Sequence, residues 1–253
     1  MTANENRPVA LVTGAARRIG AAIVRILHGA GFDVLVHYRG GEAEALALAA
    51  ELEAPDSDQA RPGSIHLVQG DLLDQTLPER LVGEVQAWRG RLDVLVNNAS
   101  SYYQTPLGTA TQAQWDDLFA ANLRAPFFLA QAAAPWLKAS RGCIVNLVDI
   151  HAQRPNAGYP VYCMAKAGNA MMVQSLAREL GPEVRVNGVA PGAILWPDEA
   201  VAEDYRRLIM ERTVLGRPGG ESDIARTVLF LVQDAPYITG QIITVDGGRT
   251  LQQ

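Results

Sequence analysis

Seven short apolar runs recur along the chain at spacings that a helix would fill, at 9–13, 33–38, 65–68, 94–96, 143–147, 184–189 and 242–245. Each is three to six residues long and dominated by valine, leucine and isoleucine, the signature of strands buried on both faces. Between them, residues 19–30, 42–52, 77–88, 112–138, 161–180 and 223–232 carry helical spacing. A β-α-β-α order predicts a parallel sheet covered by helices on both faces, because crossovers between parallel strands are right-handed. The expected fold class is therefore α/β, a doubly wound parallel sheet of about seven strands, with any ligand at the carboxyl ends of the strands. Residues 53–63 are polar and proline-bearing and read as a surface loop. No shift in composition and no repeat of about 20–50 residues divides the chain, so residues 1–253 are expected to form one domain.

The turn after the first run reads Thr13-Gly14-Ala15-Ala16-Arg17-Arg18-Ile19-Gly20. A glycine lets the backbone turn tightly there, and the free N–H groups at the start of the next helix can face a pyrophosphate. A glycine turn alone also serves purely steric needs. Its place in the first βαβ unit points it towards a dinucleotide and makes the sheet a single-domain Rossmann type, with Gly14, Arg17, Arg18 and Ile19 as cofactor-binding candidates. An NAD site places an acid about 20 residues further on to bind the ribose 2′-OH. Here the second run ends His37-Tyr38-Arg39-Gly40, with no acid. Arg17, Arg18 and Arg39 can instead surround a 2′-phosphate that a carboxylate would repel, with Tyr38 beside it. The expected cofactor is NADPH.

Composition matters at one position in particular. Of the 22 basic residues only Lys138 and Lys166 are lysines, so Lys166 stands out in an arginine-preferring chain. Tyr162-Cys-Met-Ala-Lys166 puts a phenol and an ammonium four residues apart, on one helix face. A phenol titrates near ~10, and a neighbouring ammonium together with an oxidised nicotinamide favours phenolate and lowers that value. The remaining composition excludes other classes. Net charge is −5 without a dense basic block, which argues against a nucleic-acid partner. The apolar stretches are too short for a membrane span, and MTANENRPVA lacks a signal-peptide layout. Cys143, Cys163 and four scattered histidines form neither a disulfide framework nor a metal site. The protein is expected in the cytoplasm, with no membrane or metal partner.

Together these motifs resemble the short-chain dehydrogenase/reductase family, over nearly the whole chain. The resemblance is carried by TGAARRIG, Asp71-Leu72, Asn97-Asn98-Ala99, Asn122, YCMAK, Asn187, Pro191-Gly192 and Val245-Asp-Gly-Gly248. It implies that Asn98 and Ala99 line the cofactor, that Asp71 and Leu72 sit by the adenine, and that Pro191 and Gly192 sit by the nicotinamide. It also implies that Asn122 supports a proton relay through Lys166 and that residues 193–212 cover the substrate. By the same resemblance, the long helices around 127–137 and 173–180 build a homotetramer.

Two departures narrow the reading. Arg18 stands where the family has its middle glycine. Asp149, thirteen residues before Tyr162, stands where the family has a serine. A hydroxyl donates to a carbonyl, whereas an ionised aspartate only accepts, so a substrate with a C=N bond and N–H groups suits this site better than a ketone. Both departures are similar to the pteridine reductase branch, as are His37-Tyr38-Arg39 and the stretch Asn98-Ala-Ser-Ser-Tyr-Tyr-Gln-Thr-Pro-Leu107. That resemblance implies NADPH-dependent reduction of an oxidised or dihydro pterin, or of a folate, to the tetrahydro level. Ser100 and Tyr102 then contact the pterin, Tyr102 stacking opposite the nicotinamide, with Ser100 also by the cofactor and Arg18 touching cofactor and substrate. Tyr162 gives the proton, Lys166 holds the ribose and Asp149 hydrogen-bonds Tyr162. An ordinary NADPH ketoreductase and a non-catalytic NADPH-binding sensor are the competing readings.

Overall fold

The computed structural model describes residues 7–54, 63–194, 207 and 209–251. Its seven strands are β1 (Val9–Val12), β2 (Asp33–Tyr38), β3 (Ile65–Gln69), β4 (Val94–Asn97), β5 (Cys143–Leu147), β6 (Arg185–Pro191) and β7 (Ile242–Val245). They lie in the order β3-β2-β1-β4-β5-β6-β7, and every pair is parallel. The seven-stranded α/β fold read from the sequence is the fold observed.

Period-two alternation explains why both faces of each central strand are apolar. Val9 and Leu11 of β1 join Leu35, Leu95 and Ile144 in one core. Ala10 and Val12 join Val34, Val36, Val96 and Val145 in the other. The first core is covered by α3 (Leu77–Arg89), α5 (Ala125–Ser140) and α6 (Pro160–Leu180), through residues such as Leu81, Leu137 and Val173. The second is covered by α1 (Arg18–Gly29) and a later helix, α7 (Glu221–Gln233), through Ile23, Leu27, Ile224 and Val228. Two further helices are α2 (Glu42–Leu52) and α4 (Gln112–Phe119).

Charged groups secure the amino-terminal ends of the strands. Asp33, 1% exposed at the start of β2, accepts from Arg89 Nε at 2.6 Å and from the Ser64 N–H at 2.8 Å. Asp93, just before β4, accepts from the Val9 N–H at 2.8 Å and so ties β4 to β1. Arg185 donates to the carbonyls of Leu231, Val232 and Ala235, satisfying the end of α7. These anchors leave the opposite, carboxyl ends of the strands to the loops. β1 and β4 are neighbours although β2 and β3 lie on the other side of β1, so the crevice of a doubly wound sheet opens between their loops.

One expected element is interrupted. Residues 112–138 read as one helix, but the structure inserts a π-helical turn at Ala120–Arg124 between α4 and α5. Pro126 has no N–H to offer the carbonyl of Asn122 four residues earlier, so an unbroken α-helical ladder is impossible there. The expected loop at 53–63 and the expected cover at 193–212 lie largely outside the described residues. Among the described residues no helix is long and apolar enough to cross a membrane.

Replacing Asp33 with alanine leaves Arg89 and the Ser64 N–H without their shared partner. Equilibrium urea unfolding should show stability lower by about 3 kcal/mol.

Candidate active site

Close backbone contact between the β1–α1 turn and the end of β4 shapes the cleft. Gly14 has φ +60°, and a Cβ there would sit 2.8 Å from Ala99 Cα. Thr13 Oγ1 accepts from the N–H groups of Asn98 (3.0 Å) and Ala99 (3.1 Å). In return, Asn98 Nδ2 donates to the carbonyls of Thr13 (2.8 Å) and Gly14 (3.0 Å). A Cβ on Gly20 would collide with the Gly14 carbonyl and Asn98 Nδ2. No side chain caps the start of α1, so its first N–H groups face the cleft with their partial positive charge.

That cleft, of about 390 Å3, brings together most of the residues expected to hold a cofactor. Gly14, Arg17, Arg18 and Ile19 form one wall; His37, Tyr38 and Arg39 close one end; Asp71, Leu72, Asn98, Ala99 and Ser100 form the rest. The structure adds Leu73, Ser101 and Ala121, which motif spacing alone did not single out. Arg17, Arg18 and Arg39 are exposed at the rim, with no carboxylate at the end of β2. Arg18 has φ +54°, the left-handed region in which a side chain costs about 1 kcal/mol or more. That cost falls where the family pattern has its glycine.

His37, expected among the cofactor-binding residues, lines the cleft and also supports its floor. It is 1% exposed; Nδ1 accepts from the Gly14 N–H at 3.3 Å, and Nε2 donates to the Gly70 carbonyl at 3.1 Å. Burial drives its pKa down to about 4, so the ring is neutral and serves as a strut beneath the glycine turn.

A second group of residues lies outside this cleft lining, beyond β5 and at the start of α6. Tyr162, in the first turn of α6, donates to Asp149 Oδ2 at 2.7 Å. Asp149 Oδ1 accepts from the His151 N–H at 2.8 Å, which fixes the carboxylate as the cap of the short 3-10 turn Ile150–Ala152. Lys166 is 2% exposed; its Nζ donates to the Leu147 carbonyl at 2.8 Å and lies 5.8 Å from the centre of the Tyr162 ring. Burial lowers the Lys166 pKa to about 8, opposed by the Asp149 charge.

The expected depression of the Tyr162 pKa by Lys166 is not what the fold itself produces. Burial, then the charge and hydrogen bond of Asp149, raise that phenol well above its ordinary value. The chain therefore holds Tyr162 as a protonated acid, its proton directed at a carboxylate.

Asn122 sits in the π turn and is fully buried. Its Oδ1 accepts from the Ser100 hydroxyl at 2.6 Å, and its Nδ2 donates to the carbonyls of Leu118 and Ser101, each at 2.9 Å. Its own carbonyl accepts from Asn169 Nδ2 at 2.7 Å. The expected link from Asn122 to Lys166 is thus not a direct hydrogen bond, and the Ser100 hydroxyl is already committed. Asn169 escaped the sequence reading. It lies three residues after Lys166 on α6, so its place on the same helix face was the available signal.

Tyr102 is half-exposed, stacked on Tyr159 and edge-on to Tyr162. Pro191 ends β6 and Gly192 follows it; a Cβ on Gly192 would meet Asp246 Cβ at 2.5 Å, so only glycine lets that loop pack against the end of β7. Of the remaining polar groups, His151 Nδ1 pairs with the Arg154 carbonyl, and Cys163 Sγ accepts from the Asn156 N–H at 3.4 Å. Among the described residues no cluster of metal-ligating side chains occurs.

A family model described as "Enoyl-(Acyl carrier protein) reductase" matches residues 14–250. Pteridine reductase 1 of Leishmania tarentolae is 38% identical, the alignment covering 99% of each chain. The chain belongs to the short-chain dehydrogenase/reductase family. Enzymes of this family use nicotinamide cofactors, and the glycine cradle with its uncapped helix start fits the phosphates of one. A short-chain dehydrogenase/reductase of Serratia marcescens, solved as a double mutant, superposes with a TM-score of 0.89 at 30% identity, covering 98% of this chain and 99% of that one. Another relative, the 3-oxoacyl-(acyl-carrier-protein) reductase FabG of Staphylococcus aureus, is 37% identical over 94% of this chain and 96% of its own. The family assignment is secure on length and fold, while overall identity barely separates a pterin-named from an acyl-named relative.

The buried imidazole gives a measurable pH signature. His37 binds a proton in the unfolded chain near 6.5 but in the folded one only near 4, so unfolding takes up a proton between these values. Folding stability should fall as pH drops from about 6.5 towards 4, and more steeply in the native protein than in His37→Gln. Urea titrations of both proteins across that range check the difference in slope.

Proposed function

We propose that this short-chain dehydrogenase/reductase is an NADPH-dependent pteridine reductase, taking oxidised or dihydro pterins, or folates with the same ring, to the tetrahydro level. The observation that carries this reading is the 2.7 Å hydrogen bond from Tyr162 to Asp149. A ketone reductase gains from a hydroxyl that donates to the carbonyl oxygen. Asp149 offers only acceptor oxygens, which match the N–H groups around a pterin. Support for NADPH comes from Arg17, Arg18 and Arg39 at the cleft rim and from the missing acid after β2.

The Gly14 turn with Arg17, Arg18 and Arg39 would hold the reduced nicotinamide cofactor, which would supply the hydride for one carbon of a ring C=N bond. Tyr162, kept protonated by burial and by Asp149, gives its proton to the adjacent nitrogen. Asp149 holds that proton in line beforehand and accepts from the substrate's N–H groups. Lys166, fixed by the Leu147 carbonyl, places positive charge beside the tyrosine as its proton leaves. Asn122 keeps the Ser100 hydroxyl and the Ser101 backbone in register at the rim. Exposed apolar side chains on α4, α5 and α6, among them Trp115, Phe127 and Met171, support assembly as a homotetramer.

Purified protein should oxidise NADPH rapidly with a dihydropterin and slowly with simple ketones or an acetoacetyl thioester. Tyr162→Phe should cut pterin turnover by about 100-fold or more while leaving NADPH binding near normal, as expected for a positioned acid. Preferential turnover of the ketone panel would sink the pteridine reading.

The kcat/KM for the pterin should fall as pH rises through about 8, where Lys166 loses its proton. A profile that stays flat well into the alkaline range would show that the Lys166 charge plays no part in the step.

A further inference from the structure

We infer that Tyr159 is a positioning residue for the substrate ring. Stacked behind Tyr102, it makes one rigid two-layer aromatic platform that selects flat heteroaromatic rings over flexible acyl chains. The inference rests on the pteridine reductase reading for the identity of the ring, but its observations are separate from those that carry that reading.

The Tyr102 and Tyr159 rings are 4.6 Å apart and inclined by only 7°. Tyr102 meets the Tyr162 ring edge-on, at 4.7 Å and 78°. Its hydroxyl accepts from Asn156 Nδ2 at 3.3 Å. One face of Tyr102 is thus covered by Tyr159, its plane is set against Tyr162 and its tip is held by Asn156. With the residue 51% exposed, the uncovered face is the one available to a ligand.

The platform is also tied down through its backbone. The Thr105 N–H donates to the Gly158 carbonyl at 2.8 Å, joining the loop that carries Tyr102 to the loop that carries Tyr159. The Tyr159 N–H donates to the Asn156 carbonyl at 3.2 Å, and the Tyr159 carbonyl accepts from the Cys163 N–H at 3.0 Å, one residue past Tyr162. Tyr159 therefore starts the helix that carries Tyr162, so platform and acid move as one body.

The physical gain is preorganisation. A solvent-exposed tyrosine on a loop samples several rotamers and must be ordered when a ligand stacks on it. Tyr159 and Asn156 order Tyr102 before the ligand arrives. A flat π-system benefits fully from such a face, whereas an acyl thioester chain presents no matching plane.

The test compares wild type with Tyr159→Leu, which keeps apolar bulk but removes the flat face, and with Tyr159→Phe, which restores it. Binding of an oxidised pterin is followed by quenching of its own fluorescence, and KM and kcat are measured with a dihydropterin and NADPH. Tyr159→Leu should weaken pterin binding and raise KM about tenfold, with kcat and NADPH affinity changed little. Tyr159→Phe should behave as wild type, and residual turnover of an acetoacetyl thioester should be unaffected by either change.

Pterin binding in Tyr159→Leu equal to wild type overturns the inference and leaves the pteridine reading standing. Wild type that neither binds nor turns over pterins overturns both. Should Tyr159→Leu lose NADPH binding, and so its fold, Asn156→Ala decides the matter. That change frees only the tip of Tyr102 and should raise the pterin KM in the same direction; an unchanged KM overturns the inference.

Discussion

Everything at the working end of the molecule depends on how closely the β1–α1 turn approaches the end of β4. The contact is backbone against backbone, sealed by the Thr13 hydroxyl and the Asn98 amide, and a single methyl on Gly14 would part it. It forms where the strand order reverses, so it also fixes the width of the crevice. His37 props the turn from below and draws the end of β3 into the same unit through Gly70. The cofactor cleft is therefore a property of four strand ends locked together rather than of one glycine motif.

Asp149 has two roles in one side chain. One oxygen caps the turn that leads out of β5, and the other receives the Tyr162 hydroxyl. The first role explains how a half-buried acid is satisfied where a serine is the family habit. The second sets the chemistry. An acid held protonated against a carboxylate is suited to giving a proton to a basic nitrogen, and less suited to sharing a hydroxyl pair with a carbonyl oxygen.

Much of this architecture was legible in the residues. The seven strands follow from apolar runs bounded by turn residues, because a strand buried on both faces leaves no other pattern. Gly14, Tyr162 and Lys166 were legible from residue type and spacing, and Asp149 from the resemblance, as the residue at the family's serine position. What escaped were features made by contacts between segments distant in sequence. Asn169 reaching the Asn122 carbonyl, and Tyr102 resting on Tyr159, depend on how α6 lies against the loops after β4. His37 was legible as a residue by the cleft, but its role as a strut was not, since Gly70 comes near only once β3 pairs with β2. The direction of the Tyr162 shift in the chain alone was hidden for a similar reason. Helix spacing reveals the neighbouring ammonium but not the depth of burial that outweighs it.

The π-helical turn at Ala120–Arg124 has a consequence for how this chain can change length. Such a turn holds one residue more than the α-helix would, so the α4–α5 rod carries an extra position within its span. Removing one residue from the turn takes out that extra position and leaves α5 in phase with the sheet, but it also removes the wide turn that carries Asn122 to Ser100 and Asn169. Removing one from α4 instead rotates that helix by about 100° against α5. Elsewhere the loops at the carboxyl ends of the strands can lengthen or shorten while the sheet stays as it is. This rod cannot, and its residue count is as much a part of the site as any side chain in it.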